Sequence, residues 1–177
     1  TEVTVKNPES LPDGMTEGTF EIEVTVEYPD GTSEDTTVQV VVTDNFLVVT
    51  KNPPKQIDGQ RVAENTNVIT ANLTFTVEGV HDEGLNSGLS IDENGNLTGT
   101  PKLNWGDKNS DTYEEQTVVL HAIATAESGS KKPVTISVVV QRDTDGDGEP
   151  DITDTDDDGD GFTDIEEEEK GTDPKDP

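Results

Sequence analysis

The sequence predicts an all-β fold, on three observations. Short runs rich in valine, isoleucine and threonine alternate apolar and polar residues with a period of two. Clusters of proline, glycine, asparagine and aspartate punctuate those runs. Helical periodicity is nearly absent: "DIEEEEKGTDP", residues 164–174, is the one candidate, a turn or two of acidic helix stopped by Gly171 and Pro174.

From Phe20 the run "FEIEVTVEY" sets Phe20, Ile22, Val24, Val26 and Tyr28 on one side and Glu21, Glu23, Thr25 and Glu27 on the other, the pattern of a half-buried strand. Pro29, Asp30 and Gly31 make a turn, and Val38, Val40 and Val42 alternate again in "TTVQVVVTD", so the two runs form a β-hairpin. Two or three strands rarely stand alone in water. Residues 1–45 are therefore expected to pack on their neighbour. Residues 46–142 carry further strand signals in "NFLVVT", "ANLTFTVEG", "GLSID", "NLTGT", "TVVLHAIATA" and "PVTISVVVQ", and the spacing of these runs fits a β-sandwich. Within them Asn94-Gly95 is the strongest short hairpin signal, standing between Leu89 and Ile91 on one side and Leu97 on the other.

Two of these stretches resemble known families. "YPDGTSEDTTVQVVVTD" resembles the closing hairpin of Rib-type domains, repeated modules of Gram-positive surface proteins, over roughly residues 11–44. "GLSIDENGNLTGTP", taken with the last strand "PVTISVVVQ", is similar to the immunoglobulin-like domains of bacterial surface proteins, although the insert "LNWGDKNSDTYEEQ" before Thr117 is longer than that pattern. The resemblance implies an immunoglobulin-like β-sandwich over residues 46–142.

Composition narrows the function. A hydrophobic content of 28% argues against one large core, and a formal net charge of -29 makes nucleic acid and anionic membrane surfaces unlike partners. Divalent cations or basic proteins are what such a field attracts. The absence of cysteine excludes disulfides, thiolate metal sites and cysteine nucleophiles. No apolar stretch is long enough to span a bilayer, and the chain reads as a piece of a longer protein. No Gly-x-Ser-x-Gly, phosphate-loop or paired-histidine motif supports catalysis, so no enzymatic activity is expected. His121, in "VVLHAIA", reads as a satisfied sandwich histidine, and Trp105 as a cap on the sandwich rather than an exposed adhesive aromatic.

The chemistry concentrates in "DTDGDGEPDITDTDDDGDGFTDIEE", residues 143–167. Calcium takes six to eight oxygen ligands, and a loop of about twelve residues supplies them from positions 1, 3, 5, 7, 9 and 12, with glycine at 6 for the sharp turn. That template fits twice. In the first loop Asp143, Asp145 and Asp147 occupy positions 1, 3 and 5, Gly148 stands at 6, Glu149 offers its carbonyl at 7, Asp151 is at 9 and Asp154 at 12. In the second the same places fall to Asp156, Asp158, Asp160, Gly161, the carbonyl of Phe162, Asp164 and Glu167. Random acidity would not keep glycine in register twice, which counts against the plainer reading of a solvated acidic tail. Pro150 inside the first loop, and a second loop that begins directly after Asp154, leave no room for a paired helix-loop-helix unit. Asp154 is shorter than the usual glutamate, so the first site is the weaker unless Asp154 also bridges to the second ion. Residues 143–177 carry 17 acidic and 2 basic side chains, so without metal the segment is expected to be expanded. The array, ending in "GTDP", resembles thrombospondin type 3 calcium repeats, which implies Ca2+ at these residues.

The expectation is then a fragment of a Gram-positive surface adhesin, similar to the Rib-containing and biofilm-associated families: a Rib-like segment at 1–45, a sandwich at 46–142 and a calcium-repeat linker at 143–177. It is expected outside the cell, at the cell surface, with calcium stiffening its connection to neighbouring domains of a longer protein. Alternatives are an adhesin gripping a host protein or glycan through the sandwich loops, and a non-catalytic accessory module of a secreted enzyme. "VQVVV" and "ISVVV" are uncharged and β-prone, so self-association is expected in acid or at low calcium.

Overall fold

The computed structural model describes residues 1–12, 18–42, 45–83, 86–106 and 114–177. The chain is all-β, an immunoglobulin-like β-sandwich preceded by a small sheet and followed by the acidic loops. Half of the insert before Thr117, and parts of the Rib-like stretch, lie outside the described residues.

Strands β1 (Glu2–Val5), β2 (Gly18–Glu27) and β3 (Ser33–Val42) form an antiparallel sheet with β2 in the middle. The turn expected at Pro29–Gly31 is present: Gly31 N donates to Tyr28 O at 3.0 Å, and the Asp30 carboxylate accepts from the amide and hydroxyl of Thr32. Ile22 and Val24 are buried, whereas on β3 Val38 is 40% exposed and Val40 and Val42 are only half-buried. β3 is an edge strand, so its outer side has no partner strand in this sheet. Among the described residues the sandwich core contains no member of β1, β2 or β3.

The sandwich contains β4 (Val48–Thr50), β5 (Gln56–Ile57), β6 (Thr66–Asn67), β7 (Ile69–Ala71), β8 (Phe75–Asp82), β9 (Leu89–Ile91), β10 (Asn96–Gly99), β11 (Glu115–Ala126) and β12 (Lys131–Gln141). One sheet has the order β5-β12-β11-β8; β6-β10-β9 and the pair β4-β7 supply the other side. β11 and β12 pair antiparallel from Glu115 opposite Gln141 to Thr125 opposite Lys131. Period two then sends Val118, Leu120, Ala122 and Ala124 inward beside Val134, Ile136, Val138 and Val140. They meet Phe46, Val68, Ile69, Leu89, Ile91 and Leu97 in one core, with Trp105 packed against its margin as the sequence suggests. Ile136→Ala should cost about 2–5 kcal/mol, because a fully buried β-branched side chain leaves a cavity that paired strands cannot close; a shifted urea midpoint at constant m-value checks this.

Gly95 closes the β9–β10 hairpin at φ +82°, and a Cβ there would stand 2.7 Å from the Ile69 carbonyl oxygen, so both conformation and space demand glycine. The pairing of β8 with β11 changes register between His121 and Ile123: His121 faces His81, but Ile123 faces Glu78. Two residues of β8, Gly79 and Val80, thus oppose Ala122, which is a β-bulge with Gly79 at φ +66°. Phe75, Val77 and Val80 pack on the core, so the bulge turns His81 outward. His121 likewise lies on the outer face; it is satisfied there, by Glu83 and Thr135, and not inside the sandwich.

Candidate metal centre

β12 runs straight into the acidic segment. Its next residue, Arg142, is buried; its amide donates to Glu114 O, its carbonyl accepts from Asp151 N, and its Nε lies 3.4 Å from Asp151 Oδ2. The two loops then fold alike. Asp143 Oδ2 accepts from Gly148 N at 3.1 Å, Asp145 Oδ1 from Asp147 N at 3.0 Å, and Asp147 Oδ1 from Glu149 N at 2.7 Å. Thirteen residues on, Asp156 Oδ2 accepts from Gly161 N at 3.1 Å, Asp158 Oδ1 from Asp160 N at 3.1 Å, and Asp160 Oδ1 from Phe162 N at 2.8 Å. Each aspartate accepts from a backbone N–H further along its own turn, Asp143 through both oxygens, and those bonds orient the carboxylates. Ligand atoms of Asp143, Asp145 and Asp147 lie within 4.8 Å of one another, and so do those of Asp156, Asp158 and Asp160.

Helix α1 (Asp164–Lys170) completes the second loop. A capping box between Thr163 and Glu166 fixes its start and Gly171 in the left-handed conformation its end. The helix buries Glu167, which is 4% exposed. Burial raises the Glu167 carboxyl above its ordinary range, and the Asp158, Asp160 and Asp156 charges push it the same way, although Glu167 is not a member of the close group those three aspartates form. Asp158 is raised by burial and by Asp160, Asp156 and Asp176. Asp156 Oδ1, Asp157 Oδ1, Asp158 Oδ2 and Glu167 Oε2 are buried with no hydrogen-bond partner among the described residues. Buried anionic oxygens left unpaired are costly. A hard divalent cation would relieve such oxygens, and an all-oxygen donor set suits calcium.

Of the remaining residues assigned from spacing, Asp151, Asp154 and Asp164 hold hydrogen bonds outside the two close groups. Asp151 Oδ1 accepts from Thr144 N, and its Oδ2 from Thr144 Oγ1 and Lys175 Nζ. Asp164 Oδ1 accepts from Asp157 N. In both loops the residue at position 9 thus closes the ring onto position 2 instead of joining the acidic group. Asp154 Oδ1 accepts from Thr155 N and Asp156 N, at the junction of the loops. Glu149 is exposed, and the Phe162 ring carries Lys170 Nζ 3.5 Å from its centroid.

Two further residues were not foreseen. Lys175, 6% exposed, donates to Asp151 Oδ2 at 3.1 Å and to Asp157 Oδ2 at 2.8 Å, tying the first loop to the second. The expectation of an expanded metal-free segment left this fastening out of account. Its one available signal is scarcity, since Lys170 and Lys175 are the only cations in residues 143–177. Gln60 donates to Asp143 Oδ2 and to Gly146 O, both at 3.4 Å, and joins the first loop to the sandwich. The loops also touch directly: a Cβ on Gly159, whose φ is +69°, would stand 2.8 Å from Asp145 Oδ2. Gly159→Ala should therefore disturb both loops together, read as loss of every calcium-dependent change in near-ultraviolet circular dichroism or tryptic protection.

Fold and site define an immunoglobulin-like β-sandwich carrying a tandem acidic-loop appendage. No family model matches the chain, and no curated protein does. Among solved structures it is similar to human mucin-like protocadherin EC1-2, at 14% identity and a TM-score of 0.32, covering 80% of this chain and 83% of that one. Drosophila N-cadherin EC1-4 (15%, TM-score 0.33) is covered over 31% of its length and mouse cadherin-23 EC22-24 (14%, TM-score 0.33) over 41%, each by 70% of this chain. The chain thus spans well under half of these two longer relatives.

Proposed function

We propose that this chain is a structural module of an extracellular adhesion protein whose tandem acidic loops bind calcium and stiffen the connection beyond the sandwich. The observation that carries the reading is the set of four buried, unpartnered carboxylate oxygens in the second loop, on Asp156, Asp157, Asp158 and Glu167. Asp156, Asp158 and Asp160 form one close group, and Asp143, Asp145 and Asp147 make the corresponding one in the first loop. A bound calcium supplies charge neutralisation and ligation there. The chain's own part is to aim the carboxylates, through hydrogen bonds to Gly148 and Gly161, and to hold the first loop against the sandwich through Gln60 and Arg142.

Extracellular modules bind calcium at about 0.1–1 mM, so such sites fill outside a cell. Among the described residues no helix is long and apolar enough to cross a membrane. The Gram-positive surface-adhesin assignment rests on residues 11–44 and 143–173 and belongs to the same proposal. Calorimetric titration of the metal-stripped protein tests it: heat with millimolar calcium chloride and a smaller hydrodynamic radius are expected, and the absence of both would sink the reading.

Self-association is proposed to run through β3. "ISVVV" lies in β12 with Ile136, Val138 and Val140 in the core, whereas "VQVVV" lies on an edge strand with Val41 63% exposed. Val41→Lys should lower the light scattering seen in acid or with chelator, and Val139→Lys should not lower it comparably.

A further inference from the structure

Gln60 belongs to the sandwich, but its side chain enters the first acidic loop. It follows β5 in a turn fastened to three other parts of the sandwich: Asp58 N donates to Gln141 O at 2.8 Å, Gly59 N to Pro101 O at 2.8 Å, and Val62 N to Gly99 O at 2.9 Å. Gln60 N itself donates to Ile57 O at 3.1 Å, so the backbone that carries the amide is held on both sides.

The amide has two N–H groups and two acceptors, Asp143 Oδ2 and Gly146 O, each 3.4 Å from Nε2. Asp143 Oδ2 also accepts from Gly148 N, and Oδ1 from Gly146 N. Three of the carboxylate's about four acceptor sites are thus filled, and the one left is on Oδ1. A Cβ on Gly148 would stand 3.4 Å from Gln60 Nε2, so glycine there keeps room for the amide. The second loop repeats only the backbone part of this arrangement. Asp156 Oδ2 accepts from Gly161 N, but among the described residues no sandwich side chain donates to Asp156, and its Oδ1 is left unpartnered. Metal-binding side chains are commonly oriented by a hydrogen bond from outside the ligand set, and losing it costs about 10–100-fold in affinity.

We infer that Gln60 is the positioning residue of the first calcium site, a role that rests on the calcium reading of the loops, and that calcium bound there stabilises the sandwich turn carrying Gln60. Coupling of this kind is reciprocal: what the turn contributes to holding the ion, the ion returns to the turn.

Calorimetric titration of the metal-stripped full chain with calcium chloride, compared for wild type, Gln60→Met and Gln56→Met, tests the first half. Methionine matches glutamine in length and lacks its donors. Gln60→Met is expected to weaken the weaker step about 10-fold and to leave the tighter one in place. Gln56, whose amide donates to Pro54 O at 2.6 Å, is the control, and its replacement should move neither step. Hydrogen exchange tests the second half: calcium should slow the amides of Gly59, Gln60 and Val62 in the wild type and much less in Gln60→Met. Circular dichroism checks that the variants fold. An unchanged weaker step in folded Gln60→Met, or equal protection of the turn by calcium in both proteins, would overturn the inference. No calcium step in the wild type would remove the calcium reading and, with it, the role of Gln60.

Discussion

Lys175→Met is expected to cost the metal-free acidic segment about 3–5 kcal/mol, the range for removing one partner of a buried ion pair. The ammonium is shared by Asp151 and Asp157, and all three side chains are at least nine-tenths buried. Burial pulls the Lys175 ammonium down, but its hydrogen bonds to Asp157 and Asp151 outweigh that and hold it above its ordinary value. Arg142 Nε also lies 3.4 Å from Asp151 Oδ2, so the two carboxylates do not depend on Lys175 equally. Burial pushes Asp157 up to about 6, against the attraction of Lys175. A carboxyl raised above its unfolded value of 3.8 binds more protons folded than unfolded, so its contribution to stability falls as pH rises from about 4 through 6. Methionine at 175 removes what opposes that rise, and the destabilisation should be largest at neutral pH and shrink toward pH 5. Chelated protein followed by limited proteolysis reads it; equal protection of wild type and Lys175→Met at pH 7.5 would rule out the fastening.

Glu167→Gln is expected to abolish the tighter of two calcium steps, whereas Asp147→Asn weakens the other. The second loop holds the unpartnered oxygens and is closed by a helix. The first commits Asp154 to two backbone amides and Asp151 to Thr144 and Lys175, which leaves it fewer donors. Calcium at 100 times its Kd adds about 2.7 kcal/mol, so saturation should visibly raise Tm in the wild type and less in Glu167→Gln. Burial raises Glu167, Asp158 and Asp143 above the ordinary range, with neighbouring carboxylates adding to it. Protons therefore compete with calcium earlier on acidification than at an exposed aspartate. Affinity should fall as pH drops, while the same raised groups make the metal-free protein more stable in that direction. Opposite slopes with and without calcium are the signature; parallel slopes would mean these carboxylates do not bind the ion.

The long strands were legible because alternation is a local property, and β2, β11 and β12 are long enough to repeat it. β5, β6 and β7 have two or three residues each, too few for a period, and exist only through distant pairings such as Val140 with Gln56. The β3 valines show the converse: their alternation is correct, but an edge position leaves them half-buried or exposed.

At the acidic loops, spacing along the chain was enough to place Asp143, Asp145, Asp147, Asp156, Asp158 and Asp160, because each carboxylate is aimed by a backbone amide within a few residues of itself. The destinations of Asp151 and Asp157 could not be read that way. They depend on Lys175, 24 residues beyond Asp151, and a long-range ion pair leaves no periodic trace in a chain. The histidines obey the same division: their number is plain in the sequence, but their adjacency follows from strand pairing and one glycine bulge, which is a matter of which backbones meet in space.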